Sequence, residues 1–234
     1  RATYTQISGV QPRGLAAPRF NNKLIPRTVD SAVDVGLGRH PAILASGYNV
    51  DTASFNVRVI EGELLPTVGL QGTVSHENEY VSDTWGTSAS ILGVINVPIY
   101  EGGATYSRVR QAKETLGQRR IELDSARDQV RAAVISTWGQ LTAARAQIEA
   151  ANSQVRAAQL ALDGVIEERR VGQRTTLDVL NQQQEVLTAR ETLIVATRNS
   201  IVAAYSLLSA TGGLTAERLG LGVKRYEPRE HYQA

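Results

Sequence analysis

Bond chemistry in this chain would fall to histidine, carboxylate and hydroxyl side chains, because the sequence contains no cysteine. Thiol catalysis and cysteine-ligated metals are thereby excluded. His40, His76 and His231 lie far apart, without the short spacing of a metal site or the pattern of a catalytic triad. The run His76 to Glu79 (HENE) could hold a divalent ion, but its polar flanks read more simply as a hydrated loop. No nucleophile is paired with a base, and there is no GxxxxGK[ST] phosphate loop; Gly102 and Gly103 read as a tight passage from strand to helix. The expectation is a protein that is not an enzyme and uses no cofactor or metal.

Charge gathers instead in one short stretch. In VIEERRVGQRTTLDVLN (Val165 to Asn181) the charged residues Glu167, Glu168, Arg169, Arg170, Arg174 and Asp178 surround Gly172. Gly172 can take the positive φ needed just beyond a helix end. Thr175 and Asp178, three apart, resemble a capping box with Asp in place of the usual Glu or Gln. The stretch therefore reads as a turn between two helices, with Asp178 as a cap and Arg174 as a solvated charge.

The elements that must hold this turn are long helices. Of 234 residues, 42% are hydrophobic, enough to bury a core, but only 5% are aromatic, which suits helices packed through small contacts. From Gly102 to Arg170 apolar or small residues recur every seventh position: Val109, Leu116, Leu123, Val130, Thr137, Ala144, Ala151, Ala158 and Val165. Their companions are Ala112, Ala126 and Ala133 early and Leu141, Ile148, Val155 and Leu162 late, so the stripe drifts near Thr137. Such drift belongs to a coiled coil whose packing partner changes. Beyond the turn, Leu180, Leu187, Ile194, Ile201 and Leu208 repeat at the same interval, flanked by Val179, Val186 and Leu193, until Gly212 and Gly213 stop the helix. Upstream, Thr28 to Gly62 reads as one kinked helix or two in series, broken near Pro41, with Leu44, Tyr48, Phe55 and Val59 on a face.

Between these helices the period changes to two. Val68, Leu70, Gly72 and Val74 alternate with polar or small residues, and Trp85, Ala89, Ile91, Ile95, Val97 and Ile99 share a face in a second run, with Leu92 and Val94 breaking the pattern. Each strand is about as long as a bilayer-crossing strand, and Tyr80 and Trp85 stand where interfacial aromatics would lie. A soluble hairpin is the alternative. No run reaches the ~18 consecutive apolar residues of a spanning helix, so any membrane segment must be built of strands. Two strands leave unpaired edges, so closure requires more copies of the unit.

At ~1.5 Å per residue the long helix extends about 103 Å, the one after the turn about 56 Å and the one before the strands about 52 Å. The two shorter helices together match the long one, one along each part of it, with the chain's irregular ends meeting near the middle. The expected divisions are a linker at 1–27, a helical segment at 28–64, two strands at 65–100 with a loop near 76–84, a long helix at 101–171, the tip turn at 172–174, a helix at 175–212 and a tail at 213–234. Net charge is only +2 and the charges are interleaved, which argues against nucleic acid as a partner. The chain has no methionine, so it is expected to lack its start.

Taken together, VPIYEGG running from a strand into a very long helix, VGQRTTLDVL at a helical turn, and HPAI with LPTVGLQG before the first strand resemble the TolC-like outer-membrane efflux proteins. The similarity covers essentially the whole chain. It implies a mainly α fold with a β-hairpin: antiparallel coiled-coil helices forming an α-barrel tunnel wall, and two transmembrane strands of an oligomeric β-barrel. Members of that family carry two such repeats per protomer and assemble as trimers, and this chain is similar to the second repeat with the inter-repeat linker. The resemblance further implies an outer-membrane location, a tunnel reaching into the periplasm, and passive export of drugs or secreted proteins. Its partners would be a periplasmic adaptor and, through it, an inner-membrane transporter. Carried over by motif, Val171, Gly172, Gln173 and Arg174 become adaptor contacts, and Arg169, Arg170, Arg174, Asp178 and Asn181 gate residues. Asn181 and Arg169 depart from the acidic and tyrosine residues of well-known members, so the expected gate sets Arg169, Arg170 and Arg174 against Glu167, Glu168 and Asp178. A periplasmic coiled-coil adaptor with a soluble hairpin is the alternative.

Overall fold

His40 stands before a proline, and that peptide decides how the first helical stretch divides. In the computed structural model, which describes residues 2–14, 20–79 and 84–223, His40 is extended (φ −65°, ψ 126°), because Pro41 disfavours helical geometry in the residue before it. The stretch is therefore two helices in series, α2 (Val29–Arg39) and α3 (Pro41–Gly62), the second opening on the proline whose missing N–H costs nothing there. Thr28 caps α2, its hydroxyl accepting from the Ser31 amide at 3.2 Å. The remaining elements are α1 (Ala2–Ser8), a 3-10 turn (Asn22–Leu24), strands β1 (Thr67–Glu79) and β2 (Thr84–Asn96), α4 (Ala104–Arg170) and α5 (Thr176–Ala210). The short α1 lies where Gly9, Pro12 and Gly14 read as irregular connector.

The chain forms two compact units, Arg1–Pro41 with Arg127–Ala234, and Ala42–Ala126; the 67-residue α4 contributes to both. In the first unit α2, α4 and α5 meet. Ala32 and Val134 are fully buried, and Gly36 comes so close to α4 that a Cβ on it would stand 3.2 Å from Val134 and 3.4 Å from Val130. The Ala210 carbonyl of α5 lies on the same spot, at 3.8 Å. The heptad drift near Thr137 thus coincides with a place where three helices share one site. Its buried residue is Val134, and Ala133, counted in the stripe by spacing, is exposed.

The connector and tail close over the end of α5. Phe20 packs edge-on against Tyr205 with centroids 5.0 Å apart, and the Arg218 guanidinium donates to the Leu24 carbonyl at 3.2 Å. α5 ends in a Schellman motif: the amides of Gly212 and Gly213 donate to Ser209 and Leu208 carbonyls, with Gly212 at φ +68°. A Cβ at Gly212 would also stand 3.0 Å from His40 Cα and Pro41 Cδ. Gly212→Ala is therefore expected to lower the unfolding free energy by about 2 kcal/mol or more, combining left-handed strain with a backbone clash. A thermal melt unchanged from the parent protein would contradict this packing.

α5 carries two apolar stripes. Val179, Val186, Ala189, Ala196, Ala203 and Leu207 are buried within the unit, whereas Leu180, Leu187 and Ile194 are 56%, 59% and 69% exposed. The heptad series expected to pack is thus split: its last member, Leu208, is buried, and its first three face outward. By length and composition α5 could itself cross a membrane, a consequence of being apolar on two sides.

In the second unit α3 and the start of α4 hold the root of the hairpin. Ile43 and Val57 of α3 and Val109 and Ala112 of α4 are buried. Buried Thr105 donates to Glu101 and accepts from Arg108 at 3.2 Å, while Arg108 pairs with Glu63 and Lys113 with Glu61 at 2.8 Å. The apolar face of α3 expected at Leu44, Tyr48, Phe55 and Val59 is exposed.

β1 and β2 pair antiparallel in continuous register from Thr67↔Asn96 to Glu79↔Thr84. Pairing includes His76 to Glu79, assigned by composition to a loop; Ser75–Ser88 and His76–Thr87 side-chain hydrogen bonds of 2.7 and 2.8 Å extend the ladder into these polar residues. The register puts Val68, Leu70, Gly72 and Val74 opposite Ile95, Gly93, Ile91 and Ala89 on a single face. Leu92 and Val94 lie on the other face, across from Gln71 and Gly69.

Candidate functional site

The turn between α4 and α5 is built by the ends of both helices. α4 closes in a Schellman motif, with the Gly172 and Gln173 amides donating to the Arg169 and Glu168 carbonyls at 3.0 and 2.9 Å and Gly172 at φ +79°. α5 opens in a full capping box. The Asp178 amide donates to Thr175 Oγ1 at 3.2 Å, and the Thr175 amide donates to the Asp178 carboxylate at 2.8 Å. Beneath the turn Leu162, Val179 and Val186 form a small core, with Ala158, Val165 and Ile166 against it.

This geometry joins two of the charges. Arg174 Nε donates to Glu168 at 2.7 Å, tying the turn to the last α4 residues, and the contact raises the Arg174 pKa above its ordinary value. Arg170 pairs with Glu167 at 3.1 Å within α4. Asp178 is held by Thr175, whose backbone and hydroxyl hydrogen bonds lower its pKa below the usual 3.8, with a smaller contribution from the Arg174 charge. A folded-state pKa below the unfolded one means that the cap's contribution is present above the ordinary carboxylate range and is lost as pH falls through the depressed value. Protection of the first α5 amides, measured against their intrinsic exchange rate at the same pH, should therefore fall under strongly acid conditions, below the ordinary carboxylate range. Thr175→Ala should reproduce that fraying at neutral pH, costing about 1 kcal/mol of helix stability. Amides equally protected in parent and variant would contradict the cap.

Val171, Gly172, Gln173, Arg169 and Asn181 are all exposed on this unit. Leu177, which spacing did not single out, is 64% exposed, and Val171 is 72% exposed, giving the tip an apolar component. The only advance signal was an apolar residue in the first turn of a capped helix. Of the two interfacial aromatics, Tyr80 lies outside the described residues; Trp85 pairs through its backbone with Asn78, and its side chain is likewise outside the description. His76 bonds Thr87, whereas Glu77 points to the opposite face of the strand, and the side chains of Asn78 and Glu79 lie outside the description; among the described residues no cluster of possible metal ligands occurs.

A long helical hairpin with a charged turn and an amphipathic β-ribbon define a helix-and-strand class of fold, and a match to the outer membrane efflux protein family spans residues 33–213. The chain belongs to that family, as the resemblance in VPIYEGG and VGQRTTLDVL implied. The outer membrane efflux protein BepC of Brucella suis is 48% identical over 235 residues, covering 100% of this chain and 51% of its own length. Protein CyaE of Bordetella pertussis is 31% identical over 224 residues, 91% of this chain and 46% of its own. The chain thus spans about half the length of these relatives. The open-state outer membrane channel MtrE of Neisseria gonorrhoeae superposes with a TM-score of 0.74 at 21% identity, over 93% of this chain and 50% of that one, which establishes the shared fold.

Proposed function

We propose that this chain forms part of the wall of an outer-membrane exit duct. The duct passively conducts drugs or secreted polypeptides from the periplasm to the exterior, driven by an inner-membrane transporter reached through a periplasmic adaptor. The observation that carries the reading is the hairpin: two 13-residue strands whose shared face is apolar and open, Leu70 and Ile91 each being 81% exposed. Such a face is stable against lipid, and its two unpaired edges call for neighbouring strands. Family membership and the two unpartnered apolar faces, Leu180–Leu187–Ile194 on α5 and Leu44–Tyr48–Phe55–Val59 on α3, support assembly into a closed wall of several copies, a trimer of two-repeat protomers.

At the turn, Val171, Gly172, Gln173 and Arg174 are the adaptor contacts in this reading. Arg169, Arg170 and Arg174, set against Glu167, Glu168 and Asp178 with Asn181 one helical turn further on, form the periplasmic gate. The full-length protein should need detergent to leave the membrane fraction and to stay monodisperse. A protein that is soluble and monodisperse without detergent would favour the adaptor alternative and overturn the duct.

A further inference from the structure

Leu92 and Val94 break the alternation of the second strand, and contact with lipid does not account for them. The register puts them on the face opposite Leu70, Ile91 and Ile95, across from Gln71 and Gly69. Their companions on that face are Gln71, Thr73 and Ser75 of β1 and Ser88 and Ser90 of β2, with the Ser75 and Ser88 hydroxyls bonded at 2.7 Å. Among the described residues Leu92 and Val94 are the only aliphatic side chains there. A surface that served only to hold water would carry hydroxyls and amides throughout, as the rest of this face does.

Nor is the pair buried among the described residues, since Leu92 is 57% and Val94 44% exposed. A Cβ on Gly69, across from Val94, would meet no atom within 4 Å, so the glycine leaves open space beside the valine. The two side chains stand about 7 Å apart along β2, the dimension of a small alkyl or aryl group. In a closed barrel a strand face meets either lipid or lumen, and here Leu70 and Ile91 occupy the lipid face. The space beside Leu92 and Val94 therefore belongs to the lumen and to what passes through it.

Resting on the duct reading above, we infer that Leu92 and Val94 form an apolar contact zone on the lumen wall of the strand segment, which binds the apolar parts of exported organic solutes. An alkyl or aryl group leaving water for this zone gains in proportion to the area it covers, whereas Thr73, Ser75, Ser88 and Ser90 offer only hydrogen bonds. Passage is thereby biased toward amphiphilic solutes over fully polar ones. Tetramethyl-, tetraethyl- and tetrabutylammonium carry the same charge and differ in apolar size, so their block of ionic current through the full-length protein in planar bilayers reads the zone directly. In the parent channel the blocking concentration should fall severalfold from the methyl to the butyl ion. In the Leu92→Thr, Val94→Thr double variant that dependence should largely vanish, and Ile91→Ala, on the opposite face, should keep it. Leu92→Thr and Val94→Thr taken singly should each lose part of it, and they carry the same contrast if the double variant does not insert. Equal dependence on alkyl length in the parent and the threonine variants, or none in the parent, would overturn the contact zone while leaving the duct. A parent protein that forms no channel would remove the duct reading itself.

Discussion

Val134→Asp is expected to abolish the folded protein, or to lower its stability by more than about 3 kcal/mol. Val134 has no exposed surface and stands against Gly36 where α2, α4 and the end of α5 converge. A carboxylate there would be fully buried, on the side chain that stands against Gly36 of α2. It must either bury its charge or take up a proton, and both routes are costly. Val134→Ala removes methyl groups without adding charge and should cost about 2 kcal/mol, leaving a folded protein with a lower melting temperature. Far-ultraviolet circular dichroism through a thermal ramp reads both variants. An aspartate variant melting with the parent would show that the three helices do not meet at Val134.

The second large effect concerns the turn. Full-length channels carrying Arg174→Ser or Glu168→Ser should conduct severalfold more than the parent in planar bilayers, since either change breaks the 2.7 Å contact that ties the turn to the end of α4. Both side chains are about half exposed, so the contact adds little to folding stability, and its loss should alter the channel without unfolding it. Asp178→Ser also removes a gate charge, but it dismantles the capping box at the same time. Thr175→Ala separates the two roles, because it breaks the box and leaves every charge in place. If charge closes the channel, conductance rises in Asp178→Ser and stays near the parent level in Thr175→Ala. Equal conductance in the parent, Arg174→Ser and Asp178→Ser channels would remove the gate assignment.

Much of this architecture could be read from residue spacing, and its failures have physical causes. The two-residue period of Val68 to Val74 and of Ala89 to Ile95 identified the residues that register later joined on one face, because strand side chains alternate whatever the partner. The capping box at Thr175 and Asp178 was legible because it is local, made across three residues. The Arg174–Glu168 pair was less so, since residues six apart meet only after Gly172 reverses the chain. Heptad counting found α4 and α5 but could not tell which apolar stripe is satisfied within the chain. Leu180, Leu187 and Ile194 keep the same period as Val179 and Val186, and only the packing shows that the valines face inward. For the same reason the face at Leu44 and Tyr48 was recognised as apolar, while its exposure was not foreseeable. The extension of pairing to Glu79 escaped composition, because polar cross-strand hydrogen bonds can hold a ladder that hydrophobicity does not announce.

An image of the intact assembly extracted from the outer membrane gives the most direct test. Outward-facing leucine and isoleucine stripes on α5 and, separately, a ribbon with open edges both require neighbours, so averaged particles should show a hollow cylinder with a continuous lumen. Particles that are solid in projection, or single protomers stable alone in detergent, would contradict it.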